Sequence, residues 1–268
     1  MKTFIQTQQF GIRQILSLGG KIFSSNFRKI LAIILCVHLP ENIRTILPVD
    51  AAIENVGLEP NVVALAFRSI WLIQLLLHTI GTIAIAHVVE QFIHERNTTC
   101  KQALQHGVSR FPSLLGTSVL YVIILTGLTL LLVVPGIIWC VYYTFWVYVV
   151  ALRSTGGKKA LDYSKMLVHG QWRRVANMGL NLVILWGLAY LGLFLCLSPF
   201  LALPFMLVPI TNPAFVIVLK LTVFATNLST DMFEALLCVT TVVWFLNVDY
   251  MKNPSSRPHV AIPETASA

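Results

Sequence analysis

The sequence predicts an all-α integral membrane protein with six transmembrane helices, amphipathic interfacial helices and both termini in the cytoplasm. Three observations carry this prediction. The first is composition: 56% of the 268 residues are hydrophobic and only 11% are charged, which is too apolar for one soluble domain. The second is a series of long uncharged segments. The third is that 16 of the 19 Lys and Arg residues lie on one side of those segments.

The uncharged segments define the predicted spans. A segment of about 20 residues crosses a hydrocarbon core of ~30 Å at ~1.5 Å per residue. Segments 113–134 and 175–198 meet this length without a single charge. Segment 29–47 contains Pro40, and we interpret it as a kinked span because a packed membrane helix tolerates proline. The predicted spans are 29–47, 62–89, 113–134, 136–152, 175–198 and 231–250.

Positive charges orient the predicted bundle. Basic residues crowd the N-terminal arm, the segments after the second and fourth spans, and the tail, whereas the intervening loops hold only Arg44. The positive-inside rule puts the crowded segments and both termini in the cytoplasm, which requires an even number of spans. The net charge of +8 therefore indicates anionic lipid headgroups as partners, and no nucleic acid. The predicted headgroup contacts are Lys158, Lys159, Lys165, Arg173 and Arg174.

Three predicted interfacial helices align with one another without gaps. In each, mostly apolar residues recur at i, i+1, i+4, i+7, i+8 and i+12, with Arg110 at i+7 of the second copy as the charged exception; this is the spacing of one helical face. Position i+4 is Gly19, Gly107 or Ser164, and a small residue there allows close approach to a neighbouring span. The alternative is a chance likeness among amphipathic helices. The predicted interfacial helices cover about 10–27, 99–112 and 157–172.

The last third of the chain is less regular. Four prolines between positions 199 and 213 interrupt it after the fifth span, so residues 199–226 are predicted to form external interfacial or re-entrant structure. Asp231, with Glu234 three residues beyond it, predicts a capped helix start. The tail 253–268 holds three more prolines among polar and small residues and is predicted to be a disordered cytoplasmic segment.

Two groups of polar residues are candidates for a site. His87, Glu90 and His94 share one helix face at i, i+3 and i+7, although a zincin site needs two histidines four residues apart. A polar helix end emerging into water is the alternative. The second group follows from the rule that ionisable side chains within a membrane bundle are functional candidates, with helix capping and snorkelling as alternatives. This possible polar path consists of Arg68, Lys220, Asp231 and Glu234.

The sequence carries no enzyme motif. It has no GxSxG, GxGxxG or GxxxxGK[ST] pattern of the kind that marks hydrolases, dinucleotide sites or phosphate loops. The five cysteines are odd in number and widely spaced, so they predict neither a disulfide framework nor a structural metal site. We expect no catalytic residue, no cofactor and no metal.

Three stretches resemble one known family when taken together. Residues 134–138 read Val-Pro-Gly-Ile-Ile, 159–172 read Lys-Ala-Leu-Asp-Tyr-Ser-Lys-Met-Leu-Val-His-Gly-Gln-Trp, and 243–250 read Val-Trp-Phe-Leu-Asn-Val-Asp-Tyr. From about residue 12 to 252 the chain resembles the bacterial membrane proteins of the YciC type and the related membrane domain of some glycerophosphodiester phosphodiesterases. The resemblance implies a six-span protein of the bacterial inner membrane, with a tight outer turn at the Pro-Gly pair. It does not imply hydrolysis, because the phosphodiesterase barrel is absent from this sequence.

The expected function is therefore non-catalytic. A multi-pass inner-membrane protein of this kind is expected to act in envelope or lipid homeostasis by binding lipids or a partner protein. The first alternative is a transporter or permease component that uses the polar path. The second is a membrane-embedded lipid enzyme, for which His87, Glu90 and His94 are the only plausible start.

Overall fold

The computed structural model describes residues 9–38, 40, 60–207 and 213–253. These residues are mostly helical and include no strand, which confirms the all-α fold class. The helices are α1 (Ile12–Ser25), α2 (Phe27–Val37), α3 (Pro60–Ile93), α4 (Cys100–Leu131), α5 (Val133–Tyr142), α6 (Trp146–Arg153), α7 (Lys158–Val168), α8 (Trp172–Leu207) and α9 (Pro213–Lys252).

Five helical stretches of the described chain are long and apolar enough to cross a membrane. They correspond to the second to sixth predicted spans. Helix α2, in the first predicted span, has 11 residues and measures about 16 Å. Residues 39 and 41–47 of that span lie outside the described residues. The predicted tail after Asn253 lies outside them as well. The five stretches are Trp71–Ile93, Cys100–Leu130, Val133–Arg153, Trp172–Ala202 and Ala214–Lys252.

The second predicted interfacial helix, 99–112, is not a separate element. Helix α4 continues through Pro112 into the third predicted span. A capping box starts it: the Gln102 amide N–H donates to Thr99 Oγ1 at 3.3 Å, and the Thr99 amide N–H donates to Gln102 Oε1 at 3.0 Å. This box satisfies two of the N–H groups that a helix start leaves without partners. The structure therefore has one 32-residue helix where the sequence predicted two.

The predicted helix start at Asp231 is wrong. Asp231 lies inside α9, which begins at Pro213, a position where the missing N–H of proline costs nothing. Hydroxyls of threonines along this part of α9 donate to carbonyls four residues back, at 2.8 to 3.1 Å, so they do not compete with the helix. Helix α8 likewise runs through Pro199 to Leu207, and the predicted external structure over 199–226 is helical wherever it is described.

One end of the bundle is a compact core built around α1 and α9. Ile15 and Ile22 of α1 are fully buried, and the Phe10 amide N–H donates to Asn247 Oδ1 at 3.0 Å. Gly19 packs against Thr240 so closely that a Cβ would collide with that side chain. Gly107 packs similarly on α3, where a Cβ would lie 2.7 Å from the Ile80 carbonyl oxygen. Both contacts confirm the predicted role of the small residue in the repeat.

In the third copy of the repeat, the small residue is Ser164 of α7. Its hydroxyl donates to the Tyr142 carbonyl at 2.9 Å and accepts from the Phe145 amide N–H at 3.2 Å. These are backbone groups at the break between α5 and α6, where the helical ladder is interrupted. Ser164 therefore stabilises the kink in the fourth predicted span by satisfying groups that a helix end leaves open.

The other end of the bundle exposes large apolar side chains. Leu130 of α4, Val183 and Leu188 of α8, and Ile217 of α9 are between 61 and 82% exposed. A soluble monomer rarely presents such a continuous apolar surface, whereas the hydrocarbon core of a membrane covers it at no cost. The helical surface at this end is thus that of a membrane protein.

Candidate functional site

A cavity of about 580 Å³ is lined mainly by helices α2, α3, α8 and α9, with Tyr148 contributed by α6. We call it the four-helix cavity. Its walls are mainly aliphatic and aromatic, and its ionisable groups come from the residue just after α2 and from the middle of α3 and α9. The aliphatic lining includes Ile33, Ile34, Val37, Ile85, Val183 and Leu237; the aromatic lining is Tyr148, Trp186, Tyr190 and Phe233; the ionisable lining includes His38, His78, Asp231 and Glu234.

His38, just after α2, joins three elements at the polar end of the cavity. Its Nδ1 lies 3.3 Å from Asp231 Oδ1 on α9 and 3.2 Å from Gln74 Nε2 on α3. Its ring also meets the His78 ring edge to face, with 5.7 Å between the centroids. A protonated Nδ1 donates to the Asp231 carboxylate, whereas an unprotonated Nδ1 accepts from the Gln74 amide.

Two polar atoms around this cavity are buried and have no hydrogen-bond partner in the described part of the protein. One is the Gln74 side-chain oxygen, and the other is the indole N–H of Trp186, which lines the cavity. A buried polar atom without a partner costs roughly 1–3 kcal/mol, and such atoms call for a specific reason in a native structure. A ligand carrying a hydrogen-bond acceptor supplies that reason for Trp186, which lines the cavity.

The residues of the predicted polar path separate into two groups. Asp231 and Glu234 both line the four-helix cavity, one turn apart on α9. Arg68 is exposed on α3 and Lys220 is half-buried on α9, and neither is part of the cavity lining. The structure thus brings the two carboxylates together with two histidines, and it leaves the two basic residues elsewhere.

A second polar cluster lies at the compact end of the bundle. The Arg153 guanidinium of α6 contacts Glu90 Oε1 of α3 at 2.5 Å and Asp249 Oδ2 of α9 at 2.6 Å. The Tyr163 hydroxyl of α7 donates to Asp249 Oδ1 at 2.6 Å. Burial, followed by this hydrogen bond, raises the pKa of Tyr163 to about 12, so the phenol remains a donor at neutral pH. We call these four residues the Arg153 network; it ties four helices together.

His87, Glu90 and His94, the three residues that share one helix face, each contact a different partner. Glu90 pairs with Arg153, His94 Nε2 lies 2.8 Å from the Tyr250 hydroxyl, and the His87 ring stacks on His106 with 4.1 Å between centroids. The described residues contain no group of three ligands that could hold a metal ion. The alternative of a polar helix end in water is also wrong, because Glu90 is only 7% exposed.

The predicted headgroup contacts lie on the outside of the compact end. Lys158 and Lys159 are exposed at the start of α7. Lys165 is exposed too, and its ammonium sits 4.6 Å from the centroid of the Trp139 ring, a cation–π contact. Arg173 and Arg174 are exposed at the start of α8, and Arg174 donates to the Phe10 carbonyl at 3.4 Å. Most of these cations face away from the protein.

Sequence reasoning missed His38, His78 and Gln74. Each is a polar residue inside an otherwise apolar segment, so the rule that found Asp231 and Glu234 applies to them as well. It also missed Arg153 and Asp249, which end apolar segments at the same predicted depth as Glu90. The sequence signal that could have found this network is the presence of opposite charges at matching depths in neighbouring apolar segments.

No family model, no curated protein and no solved structure matches the chain.

Proposed function

We propose that this chain is a non-catalytic, six-span protein of the bacterial inner membrane that binds a lipid-like amphiphile in the four-helix cavity, and so serves envelope or lipid homeostasis. The observation that carries this proposal is the cavity itself: a mainly apolar chamber of about 580 Å³ lined by two carboxylates, Asp231 and Glu234, and two histidines, His38 and His78. Membership of the YciC-type proteins is part of the proposal, on the strength of the three sequence stretches given above.

The size and lining of the cavity support an amphiphile as the ligand. Cavities that bind small molecules measure about 300–1,000 Å³ and combine mostly apolar walls with a few converging polar groups. Here Ile33, Val37 and Val183 can cover an apolar chain, while His38 and Asp231 meet a polar group at the other end. The buried indole N–H of Trp186 offers a further donor.

The depth of the polar end supports a ligand taken from the membrane. We assign Lys252 to the cytoplasmic surface because it belongs to the basic side of the chain. At 1.5 Å per residue along α9, Asp231 then lies about 31 Å from Lys252, close to the ~30 Å thickness of a hydrocarbon core. The polar end of the cavity is thereby near the outer leaflet, and the apolar part lies within the acyl chains.

A permease component is the second candidate, and the pairing of Asp231 with His38 at 3.3 Å favours it, since ionisable groups at membrane depth mark proton or solute paths. It ranks lower because Ile85 and Cys238, which line the cavity toward the compact end, are buried. If Asp231→Asn combined with Glu234→Gln abolished a measured flux in proteoliposomes, the permease reading would replace the binding one.

Two glycines of α8 allow a matched test of binding. A side chain at Gly187 has open space in front of it, and Gly187 lines the cavity; a side chain at Gly192 also has open space, but Gly192 does not line the cavity. Gly187→Phe therefore fills the cavity, and Gly192→Phe is its control. Both replace glycine in a helix, which favours folding.

The experiment extracts each protein from its own membrane into lipid nanodiscs and measures the bound amphiphile per protein by native mass spectrometry. We expect a defined amphiphile on the wild type and on Gly192→Phe, and about a tenfold loss on Gly187→Phe, equivalent to ~1.4 kcal/mol of binding free energy. A wild-type protein without a bound amphiphile, or equal amounts on all three proteins, would contradict the proposal.

A further inference from the structure

We propose that the amphiphile in the four-helix cavity carries an acyl carbonyl oxygen, which accepts hydrogen bonds from the indole N–H of Trp186 and the hydroxyl of Tyr190. This inference rests on the proposed function and adds the chemical class of the ligand. It is carried by two hydrogen-bond donors of α8 that line the cavity and have no hydrogen-bond partner in the described part of the protein.

The two donors lie on one face of α8. Trp186 and Tyr190 stand four residues apart in this helix, a spacing that places side chains next to each other, and both line the cavity. The indole nitrogen of Trp186 is buried without a hydrogen-bond partner, and an indole N–H can only donate. The Tyr190 hydroxyl forms no hydrogen bond with any described residue. This wall of the cavity therefore offers two donors to one ligand.

Other donors of the cavity lining are already used within the protein. The Thr82 hydroxyl of α3 donates to the His78 carbonyl at 3.1 Å. The Cys238 thiol of α9 donates to the Thr82 carbonyl at 3.9 Å. Trp186 and Tyr190 differ from these residues, because no described residue supplies an acceptor for either of them.

The surroundings of Trp186 and Tyr190 restrict what can supply the acceptor. Both residues belong to the apolar stretch Trp172–Ala202, which is long enough to cross a membrane. Hydrocarbon offers no hydrogen bond, so a polar group at this depth needs a partner in the protein or in its ligand. An acyl chain carries an acceptor at its carbonyl group, and a carbonyl oxygen has two lone pairs. One such oxygen can accept from both donors.

The α8 wall also leaves room for an acyl chain to enter from the bilayer. Val183, Gly187 and Tyr190 recur at i, i+4 and i+7 of α8, and all three line the cavity and are exposed. A Cβ at Gly187 would meet nothing within 4 Å, so there is open space next to Trp186 in the chain. A lipid can therefore enter sideways with its carbonyl at Trp186, whereas a soluble solute would first have to cross lipid.

An aromatic contact with α9 positions both donors. The rings of Trp186 and Phe233 meet edge to face with 5.0 Å between centroids, and the Tyr190 ring lies 6.1 Å from Phe233. Side chains that are already held in place lose little rotamer freedom when a ligand binds. The donor pair is thus prepared for an acceptor before the ligand arrives.

Three probes test the carbonyl: methyl laurate, the alkane tetradecane of equal chain length, and laurate. Each is titrated into the full-length protein in nanodiscs and measured by displacement of a pyrene-labelled acyl ester. We expect methyl laurate to bind the wild type about tenfold tighter than tetradecane. Because partition into the nanodisc lipid is the same for every variant, differences between variants report on the cavity.

Two variants remove the donors while keeping an aromatic ring. Trp186→Phe should weaken methyl laurate about tenfold and tetradecane by less than about twofold, and Tyr190→Phe, which lacks only the hydroxyl, should weaken methyl laurate by about threefold to tenfold. Continued binding of tetradecane shows that each variant is folded. Trp71→Phe is the control, because Trp71 is 66% exposed on α3 and is not part of the cavity lining.

The laurate measurement identifies the source of the carbonyl. A free acid and an ester share this acceptor, and either fulfils the inference if its affinity falls in Trp186→Phe. The tighter of the two probes then shows whether the cavity takes a fatty acid or an acyl ester.

The outcomes separate this inference from the proposed function. If tetradecane binds as tightly as methyl laurate and laurate, or if Trp186→Phe weakens all three probes equally, the carbonyl inference is wrong and the cavity still binds amphiphiles. If none of the three probes binds the wild type better than Gly187→Phe, the proposed function itself fails.

Discussion

Arg153 donates two hydrogen bonds, of 2.8 and 2.6 Å, to Oδ2 of Asp249, a residue 96 positions away whose side chain is fully buried. The same guanidinium reaches Glu90 on α3. One cation therefore serves two carboxylates from two helices, α3 and α9. Buried charges are tolerated when they are paired and hydrogen-bonded, and removing one partner is costly.

Substitutions in the Arg153 network should lower the free energy of unfolding by amounts that fall in a defined order. Arg153→Met leaves two buried carboxylates without a cation, so we expect a loss of about 3–5 kcal/mol in the free energy of unfolding. Asp249→Asn leaves a balanced Arg153–Glu90 pair and should cost less, about 1–3 kcal/mol. The exposed control Asp162→Asn should change stability by less than about 0.5 kcal/mol. Denaturation in mild detergent measures all three, and an Arg153→Met protein as stable as the control would refute this account of the network.

Adjacent glycines of α1 test its contact with α9. A side chain at Gly19 would collide with Thr240, whereas one at Gly20 meets nothing within 4 Å. Gly19→Leu should lose about 1–3 kcal/mol through overpacking. Gly20→Leu should be neutral or stabilising, because leucine favours a helix by up to about 1 kcal/mol over glycine. Thermal unfolding of the two variants side by side makes the comparison; equal melting temperatures would show that α1 does not pack on α9 as described.

The sides of the membrane on which the two termini lie distinguish six spans from five. Six spans put both termini in the cytoplasm, whereas five put them on opposite sides. Fusions of a fluorescent protein that matures only in the cytoplasm should be bright at either end, and alkaline phosphatase fused after Leu132 should be active because the α4–α5 connection is predicted to lie outside. A dark N-terminal fusion together with a bright C-terminal one would contradict the six-span topology.

The basic surface at the start of α7 and α8 predicts an enrichment of anionic lipid. Replacing Lys158, Lys159 and Lys165 by Gln should reduce that enrichment, since each lysine near a charged surface contributes ~1 kcal/mol. The effect should shrink at high salt because the Debye length falls to about 3 Å at 1 M. The measurement is the lipid composition of native nanodiscs; Arg68→Gln with Lys220→Gln is the control, and an equal effect from that pair would rule out a headgroup role specific to α7.

The coarse fold was predictable because it depends on local patterns. Uncharged length and helical periodicity are properties of contiguous residues, and they predicted the all-α class and the approximate positions of five long apolar helices. The same holds for Gly19 and Gly107, whose place in an amphipathic repeat predicted close packing before any partner was known.

The interior of the bundle was not predictable in the same way. His38 and Asp231 are far apart in the chain, and the distance of 3.3 Å between their side chains depends on how α2 and α9 pack. Hydropathy and local spacing take no account of partners that are distant in the chain. They therefore predicted a helix cap at Asp231 and a loop position for Arg153. The prolines between 199 and 213 were interpreted as helix breakers, which led to the prediction of external structure over 199–226. Prolines at the first turn of a helix or inside a packed membrane helix are in fact tolerated.

The four-helix cavity is the centre of the functional account, and its contents can be observed directly. The decisive measurement is a cryo-EM map of the full-length protein in nanodiscs of its own membrane lipid. The account predicts an elongated non-protein density between α2, α3, α8 and α9, with its compact end within hydrogen-bonding or ion-pairing distance of Asp231 or Glu234. A map of equal quality in which protein side chains fill this space, or in which no such density is present, would contradict it.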